Sequence, residues 1–223
     1  MTCVILLNGE YEDDAYYLRQ IEAARVVVAV DGGHRILRRL ERWPQVLIGD
    51  FDSLDAGLLV EAREAGVETI GYPARKDETD AELAVEWVFS RYPDDVVFLG
   101  GFGGALDHVM GHICVLRGLA TRGRAARIAS PDLTATVLWA PLRLRLGAPP
   151  GTRASLVALS PTAVLTLRGF DNELTNAPLS AASCRGLSNG VAVAGASIGL
   201  VSGLLLAMVY DGRETFAREP ATA

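Results

Sequence analysis

Asp50 and Asp52 stand one residue apart in GDFDS, Gly49 to Ser53, directly after a short β-branched run at Val46–Ile48. In extended backbone alternate side chains point to the same side, so both carboxylates face one way while Phe51 turns the other and can be buried as an anchor. Two like charges held together call for a cation. A magnesium ion, which takes oxygen ligands and commonly arrives with substrate phosphates, suits them. The carboxyl end of a strand is also where an open α/β sheet presents its ligand-binding residues. The same five residues equally suit an ordinary strand-to-helix turn capped by Asp52 or Ser53, so their meaning depends on what accompanies them.

Three further segments accompany them. In KDETDAELAVEW, Lys76 to Trp87, Thr79 and Glu82 have the spacing of a capping box, which predicts a helix starting at Asp80. Asp80, Leu83, Ala84, Trp87 and Val88 share one stripe of that helix, so Asp80 opens the face turned to the sheet, where a carboxylate needs a partner. There it can join Asp50 and Asp52 around metal, with Lys76 and Arg75 meeting phosphate oxygens; otherwise Asp80 merely complements the helix dipole. In GGFGGALDH, Gly100 to His108, glycines crowd a strand-to-helix junction. They let backbone approach a ligand, and helix N-terminal amides favour an anion. The spacing fits neither the dinucleotide fingerprint nor the Walker pattern. Asp107 and His108 fall in the first turn of the following helix, Asp107 as a cap or ligand orienter, His108 as a packing or hydrogen-bonding residue. Finally, Asp31, Gly32 and Gly33 in VDGGH read first as a tight turn, yet add another carboxylate at a strand end.

Positioning these residues requires strands alternating with helices. Strands are expected at Cys3–Leu7, Val26–Val30, Val46–Ile48, Val67–Ile70, Val96–Leu99 and Ala126–Ala129. Helices are expected at Asp13–Ala24, Arg35–Arg42, Ala56–Ala65, Asp80–Arg91 and Leu106–Thr121, a pattern that predicts a mostly parallel sheet in an α/β domain over residues 1–130. From Pro131 the style changes to short runs punctuated by Pro and Gly, at Ala135–Trp139, Leu142–Leu146, Ser155–Leu159, Val164–Leu167 and Val191–Ala194. These predict a smaller all-β sandwich over 131–223, ending in a strand at Gly203–Tyr210 and a frayed tail from Arg213.

Composition narrows the function classes. Half of the 223 residues are hydrophobic, enough for a substantial core, and the net charge of −6 argues against a nucleic-acid surface. Cys3, Cys114 and Cys184 are widely separated, indicating neither a disulfide framework nor a zinc site, and fit a reducing cytoplasm. Neither a signal peptide nor a membrane span is evident, so a soluble protein is expected.

The ordered set DGG at Asp31, GDFDS at Gly49, KDETD at Lys76, GGFGG-x-x-DH at Gly100 and GLSN at Gly186 resembles the thiamine pyrophosphokinase family across nearly the whole chain. The resemblance implies transfer of diphosphate from ATP to the hydroxyl of thiamine with magnesium, giving thiamine diphosphate and AMP. It also implies a homodimer with thiamine near the subunit interface. On this reading Asp50, Asp52 and Asp80 hold the metal, and Asp80 is the preferred proton acceptor. Asp31, Gly32, Gly33, Ser53, Lys76, Asp77, Gly103, Gly104, Asp107 and His108 serve ATP, and Ser188 and Asn189 contact the thiamine pyrimidine. Without the resemblance those last two read as a turn before a strand. Trp139, Phe170 and Tyr210 are candidate faces for the cationic thiazolium, or core residues.

The chain departs from the family pattern in places. Ala105 occupies the arginine position of GGRxDH, with Arg35 or Arg75 as candidate substitutes; His112 replaces an asparagine, and Gly190 an acidic residue. Competing readings are a diphosphokinase for another small alcohol such as a pterin, and a sensor that binds thiamine or its diphosphate without transfer. A phosphatase with a DxD nucleophile would carry that motif after its first strand rather than its third.

Overall fold

The computed structural model describes residues 2–51, 56–213 and 216–219. Asp52 and Ser53 lie outside the described residues. The chain divides into two compact units, one of residues 1–115 with 128–130, the other of residues 116–127 with 131–223.

In chain order the first elements are β1 (Thr2–Leu6), α1 (Asp14–Glu22), β2 (Ala24–Val30), α2 (His34–Arg39), β3 (Val46–Gly49), α3 (Ala56–Glu64), β4 (Glu68–Gly71), α4 (Asp80–Phe89), β5 (Asp95–Leu99), α5 (Leu106–Thr121) and β6 (Ala126–Ala129). Pairing is parallel between β5 and β1, β1 and β2, β2 and β3, and β3 and β4. β1, β2 and β5 are continuous apolar runs with almost every residue buried, as strands covered on both faces must be, whereas β4 at the sheet margin is polar and half-exposed. Val4, Leu6, Val27, Ala29, Leu47, Val97 and Leu99 meet Tyr17 and Ile21 of α1 and Ile36 and Leu37 of α2 in one core. The strand order reverses at β1, which is flanked by β2 on one side and β5 on the other. The crevice beyond the carboxyl ends of β1 and β5 is therefore the topological switch point, where such sheets bind ligands.

Local chemistry sets the helix starts. Asp13 accepts a hydrogen bond from the Tyr16 backbone N–H at 3.0 Å. At α4 the expected capping box is complete: Thr79 N donates to Glu82 Oε2 at 2.8 Å while Thr79 Oγ1 accepts from Glu82 N at 3.3 Å.

The second unit continues with β7 (Thr134–Trp139), β8 (Leu142–Arg145), β9 (Arg153–Ala158), β10 (Thr162–Arg168), β11 (Leu174–Ser180), β12 (Asn189–Gly190), β13 (Ser197–Ser202), β14 (Leu204–Val209) and β15 (Ala217–Glu219). β12, β9, β14 and β7 pair antiparallel in that order, and β11, β10, β13, β8 and β15 form a five-stranded antiparallel sheet. Leu156, Leu205 and Val209 from the first set share a core with Leu144, Leu165, Leu167, Ile198 and Leu200 from the second.

Some expectations need correcting. Val191–Ala194 is not a strand: only Val191 forms a bridge, to Phe170, and Val193 is exposed as the chain turns towards Gly195. The tail expected to fray contains β15, paired with β8, with Phe216 buried beside it. β11 and β13 were not expected. β11 is a sheet-edge strand, largely exposed and carrying Pro178, so it lacks the apolar alternation that betrays a half-buried strand. Asp31–Gly33 is one 3₁₀ turn that runs straight into α2, rather than a reversal. Among the described residues no helix is long and apolar enough to cross a membrane.

Candidate active site

A cavity of about 640 Å³ opens at the carboxyl end of the parallel sheet, with Asp31, Thr79, Asp80, Gly103, Gly104 and His108 in its wall. Four loops build it: those after β1 and β2, the approach to α4, and the glycine loop after β5.

Asp31 is its electrostatic centre. The residue has a left-handed backbone with φ of 45°, an unusual state for a non-glycine and one that recurs at functional sites. Its carboxyl is pushed up to about 6, first by burial, then by the Asp80 and Asp50 carboxylates, against the opposing pull of the Lys76 ammonium. The nearby Asp80 carboxylate makes ionising Asp31 harder, which adds to the effect of burial. Three of the acidic residues picked out by sequence are thus brought within electrostatic reach of one another. Gly49 makes room for them: a Cβ there would lie 2.0 Å from Asp31 Oδ1. Gly32 and Gly33 are equally cramped, a Cβ lying 2.0 Å from Asn8 Oδ1 or 2.1 Å from Leu6 O.

Asp80 opens α4 as expected, its side chain 18% exposed, and Lys76 Nζ stands 3.0 Å from its Oδ1. That oxygen is buried and, although within ion-pair range, accepts no hydrogen bond of acceptable geometry. Lys76 is only 12% exposed and donates to Pro73 O at 3.1 Å, so it is no solvated loop charge. Asp77 and Arg75 are exposed. Phe51 packs against the core of the first unit, the anchor role expected for it.

In the glycine loop, Gly103 and Gly104 have φ of 82° and 68°. Asp107 Oδ1 accepts from His108 N at 2.9 Å at the start of α5, and both side chains are exposed. His112 Nδ1 lies 3.0 Å from Gly101 O, and burial lowers its pKa. Arg35 Nη1 donates to Asn8 Oδ1 at 3.2 Å beside Gly32, which brings a guanidinium to the cavity's edge; Arg75 is not in the cavity wall.

Ser188 and Asn189 belong to the second unit. Ser188 is exposed with φ of 56°, its N–H donating to Ser155 Oγ at 3.0 Å. Asn189 is buried and its amide is engaged: Oδ1 accepts from Asn172 N at 3.0 Å and Nδ2 donates to Asn172 O at 2.9 Å. It borders a separate cavity of about 530 Å³ walled by leucines, Asp171 and Glu173. Of the candidate aromatics, Phe170 is buried, Trp139 is half-buried and Tyr210 is stacked under the Arg153 guanidinium at 3.5 Å.

The oxygen-only donors around Asp31 fit magnesium. A buried carboxylate oxygen without a hydrogen bond and a carboxyl raised by its like-charged neighbours are both relieved by a cation. Among the described residues no group of three His, Cys, Asp or Glu stands in metal-holding geometry, and Asp52 lies outside them. Asn8, Gly9 and Tyr11 were missed as site-building residues. An Asn-Gly pair directly after the first strand was the available signal.

A parallel sheet with an acidic, glycine-lined crevice at its switch point defines an open α/β domain with its ligand-binding site at the carboxyl ends of the strands. Comparison with known proteins sharpens this. Residues 17–127 match the family model described as thiamin pyrophosphokinase, catalytic domain. The chain is similar to a thiamine pyrophosphokinase of Bacillus subtilis (strain 168), 34% identical over 89 residues that cover 40% of this chain and 42% of that protein. It is also similar to thiamin pyrophosphokinase 1 of Caenorhabditis elegans, 30% identical over 116 residues, 48% of this chain and 46% of that protein. The aligned parts thus span less than half the length of these relatives. A crystal structure of thiamin pyrophosphokinase from Geobacillus thermodenitrificans superposes with a TM-score of 0.79 at 26% identity, covering 96% of this chain and 99% of that one. The Bacillus subtilis enzyme structure gives 0.83 at 23% identity, covering 95% and 99%, a likeness of fold. The chain belongs to the thiamin pyrophosphokinase family.

Proposed function

We propose that the protein transfers the diphosphate of ATP to the hydroxyl of thiamine, yielding thiamine diphosphate and AMP. The observation that carries this reading is the Asp31–Asp50–Asp80 group with Lys76 at the mouth of a glycine-lined cavity. The thiamine hydroxyl oxygen attacks the β-phosphorus, the bond from that phosphorus to the oxygen bridging to AMP breaks, and AMP departs with that oxygen. Little covalent work falls to the protein, so its residues orient the reactants and balance charge. Asp80, beside Asp31, takes the hydroxyl proton. Gly103, Gly104 and the amides at the start of α5 steady phosphate oxygens, with Lys76, Asp77, Asp107 and His108 around them and Asp31, Gly32 and Gly33 beneath. Asp50, Asp52 and Asp80 would hold magnesium, which would neutralise charge on the phosphates. Arg35 stands in for the guanidinium missing at Ala105.

The same reading makes residues 1–130 the catalytic domain and the β-sandwich of residues 131–223 the thiamine-binding domain. Ser188 of the neighbouring subunit then meets the thiamine pyrimidine in a cytoplasmic homodimer, with Asn189 holding the turn beneath it. Leu106 and Met110, 76% and 51% exposed on α5, offer apolar surface to a second copy, and the three free cysteines suit a reducing compartment. The test is incubation with ATP, Mg²⁺ and thiamine, following AMP and thiamine diphosphate by chromatography. Equimolar products are expected, reduced about 100-fold or more in Asp80→Asn; binding of thiamine without product would replace the enzyme reading with a sensor.

A further inference from the structure

The segment Asn8–Tyr11 leaves β1 and runs beside the glycine loop that leaves β5. Tyr11 Oη lies 2.6 Å from Leu7 O, just beyond β1, and 3.1 Å from Leu99 O, the last carbonyl of β5, so one phenol spans the ends of the two strands that flank the switch point. Leu7 N donates to the same Leu99 O at 2.9 Å. The Tyr11 ring is held independently of its hydroxyl, edge-on to Tyr17 with centroids 4.8 Å apart. Burial pushes the phenol's pKa up, which keeps the hydroxyl a donor at any working pH.

Around this phenol the two loops are fitted at contact distance. A Cβ on Gly9 would lie 1.9 Å from Gly100 O, one on Gly100 2.4 Å from Tyr11 Oη, and one on Gly103 2.9 Å from Glu10 Oε2. Asn8, Gly9, Gly100 and Gly103 all reach the cavity wall. A run so rich in glycine has much backbone freedom to lose when it closes on a ligand. A brace that removes that freedom beforehand lowers the cost of binding.

We propose that Tyr11 is a positioning residue: by bridging the Leu7 and Leu99 carbonyls, its hydroxyl clamps Asn8–Glu10 against Gly100–Gly104 and presets that loop for the nucleotide's phosphates. This rests on the reaction proposed above. It predicts an effect on nucleotide affinity rather than on the bound reaction, a rise in KM with kcat kept.

Tyr11→Phe keeps the ring and removes the hydroxyl. Calorimetry with α,β-methylene-ATP, whose bridge blocks transfer, should show binding weakened about 3- to 10-fold, the range of one lost hydrogen bond. The KM for ATP should rise by the same factor, with kcat and the thiamine KM within about twofold. Hydrogen exchange at residues 100–104 should quicken in the free variant and recover when the analogue binds. Unchanged analogue affinity, even with a lowered melting temperature, overturns the proposal, and so does a variant that does not fold, since the hydroxyl is then a stability element. A parent protein that binds the analogue but transfers nothing to thiamine sinks the reaction instead, and one that does not bind it sinks both.

Discussion

At the carboxyl end of the parallel sheet, the Asp31, Asp80 and Asp50 carboxylates act on one another, and one Asp80 oxygen is buried without a hydrogen bond. In the β unit, Asn189 is more deeply buried, yet both ends of its amide are matched to the backbone of Asn172. Both residues come from motifs that stand out in the sequence. A buried polar group that is satisfied within the protein stabilises the fold, whereas one opposed by like charge is costly until something else arrives to neutralise it. The first region is arranged for a charged ligand. The second is arranged, at Asn189, to hold the turn that presents Ser188.

That contrast can be broken in three ways, the largest effect first. Gly49→Ala places a methyl 2.0 Å from Asp31 Oδ1, so the carboxylate must move. Displacing a reacting or metal-directed group by about 1 Å costs on the order of 100-fold in rate, and kcat/KM for diphosphate transfer should fall by that order. A variant as active as the parent would show that Asp31 need not sit where it does. Asn189→Ala leaves the Asn172 N–H and carbonyl without their partners and should lower stability by about 2 kcal/mol, read by urea denaturation. If transfer collapses while stability holds, the amide serves the substrate and the contrast drawn here fails.

The smallest effect is a pH dependence. The Asp31 carboxyl is raised from 3.8 to about 6, so the folded chain keeps a proton that the unfolded chain has released. Its contribution to stability is full below 3.8 and is lost as pH rises towards 6. With metal chelated, Asp31→Asn should melt together with the parent below that window and a few degrees above it at neutral pH. Equal melting temperatures at neutral pH would mean that the carboxylates do not repel in the folded chain.

Much of the first unit was legible beforehand, because covered parallel strands are unbroken apolar runs and helices declare themselves through caps. The capping box at Thr79 and Glu82 and helix α5 at Leu106–Thr121 illustrate this. The β unit was less legible. β15 is an edge strand whose partner β8 is distant in sequence, and β11, an edge strand paired with the preceding β10, lacks the apolar alternation that would announce it. The glycines show the same divide. Their crowding at Gly32, Gly33 and Gly100 was visible at once, but not that each faces an atom of another segment of the chain.

The sequence alone determined which carboxylates, glycines and helix starts the protein has, and their order along the chain, since propensity, capping and apolar period act within a few residues. Only the tertiary structure decided that burial, with Asp80 and Asp50 nearby, raises the carboxyl of Asp31, marked first as a turn residue, and that Lys76 lies largely covered against Asp80. It alone brought Tyr11 to the end of a strand 88 residues further along the chain. Burial, like-charge proximity and close approach depend on elements that meet only once the sheet has formed.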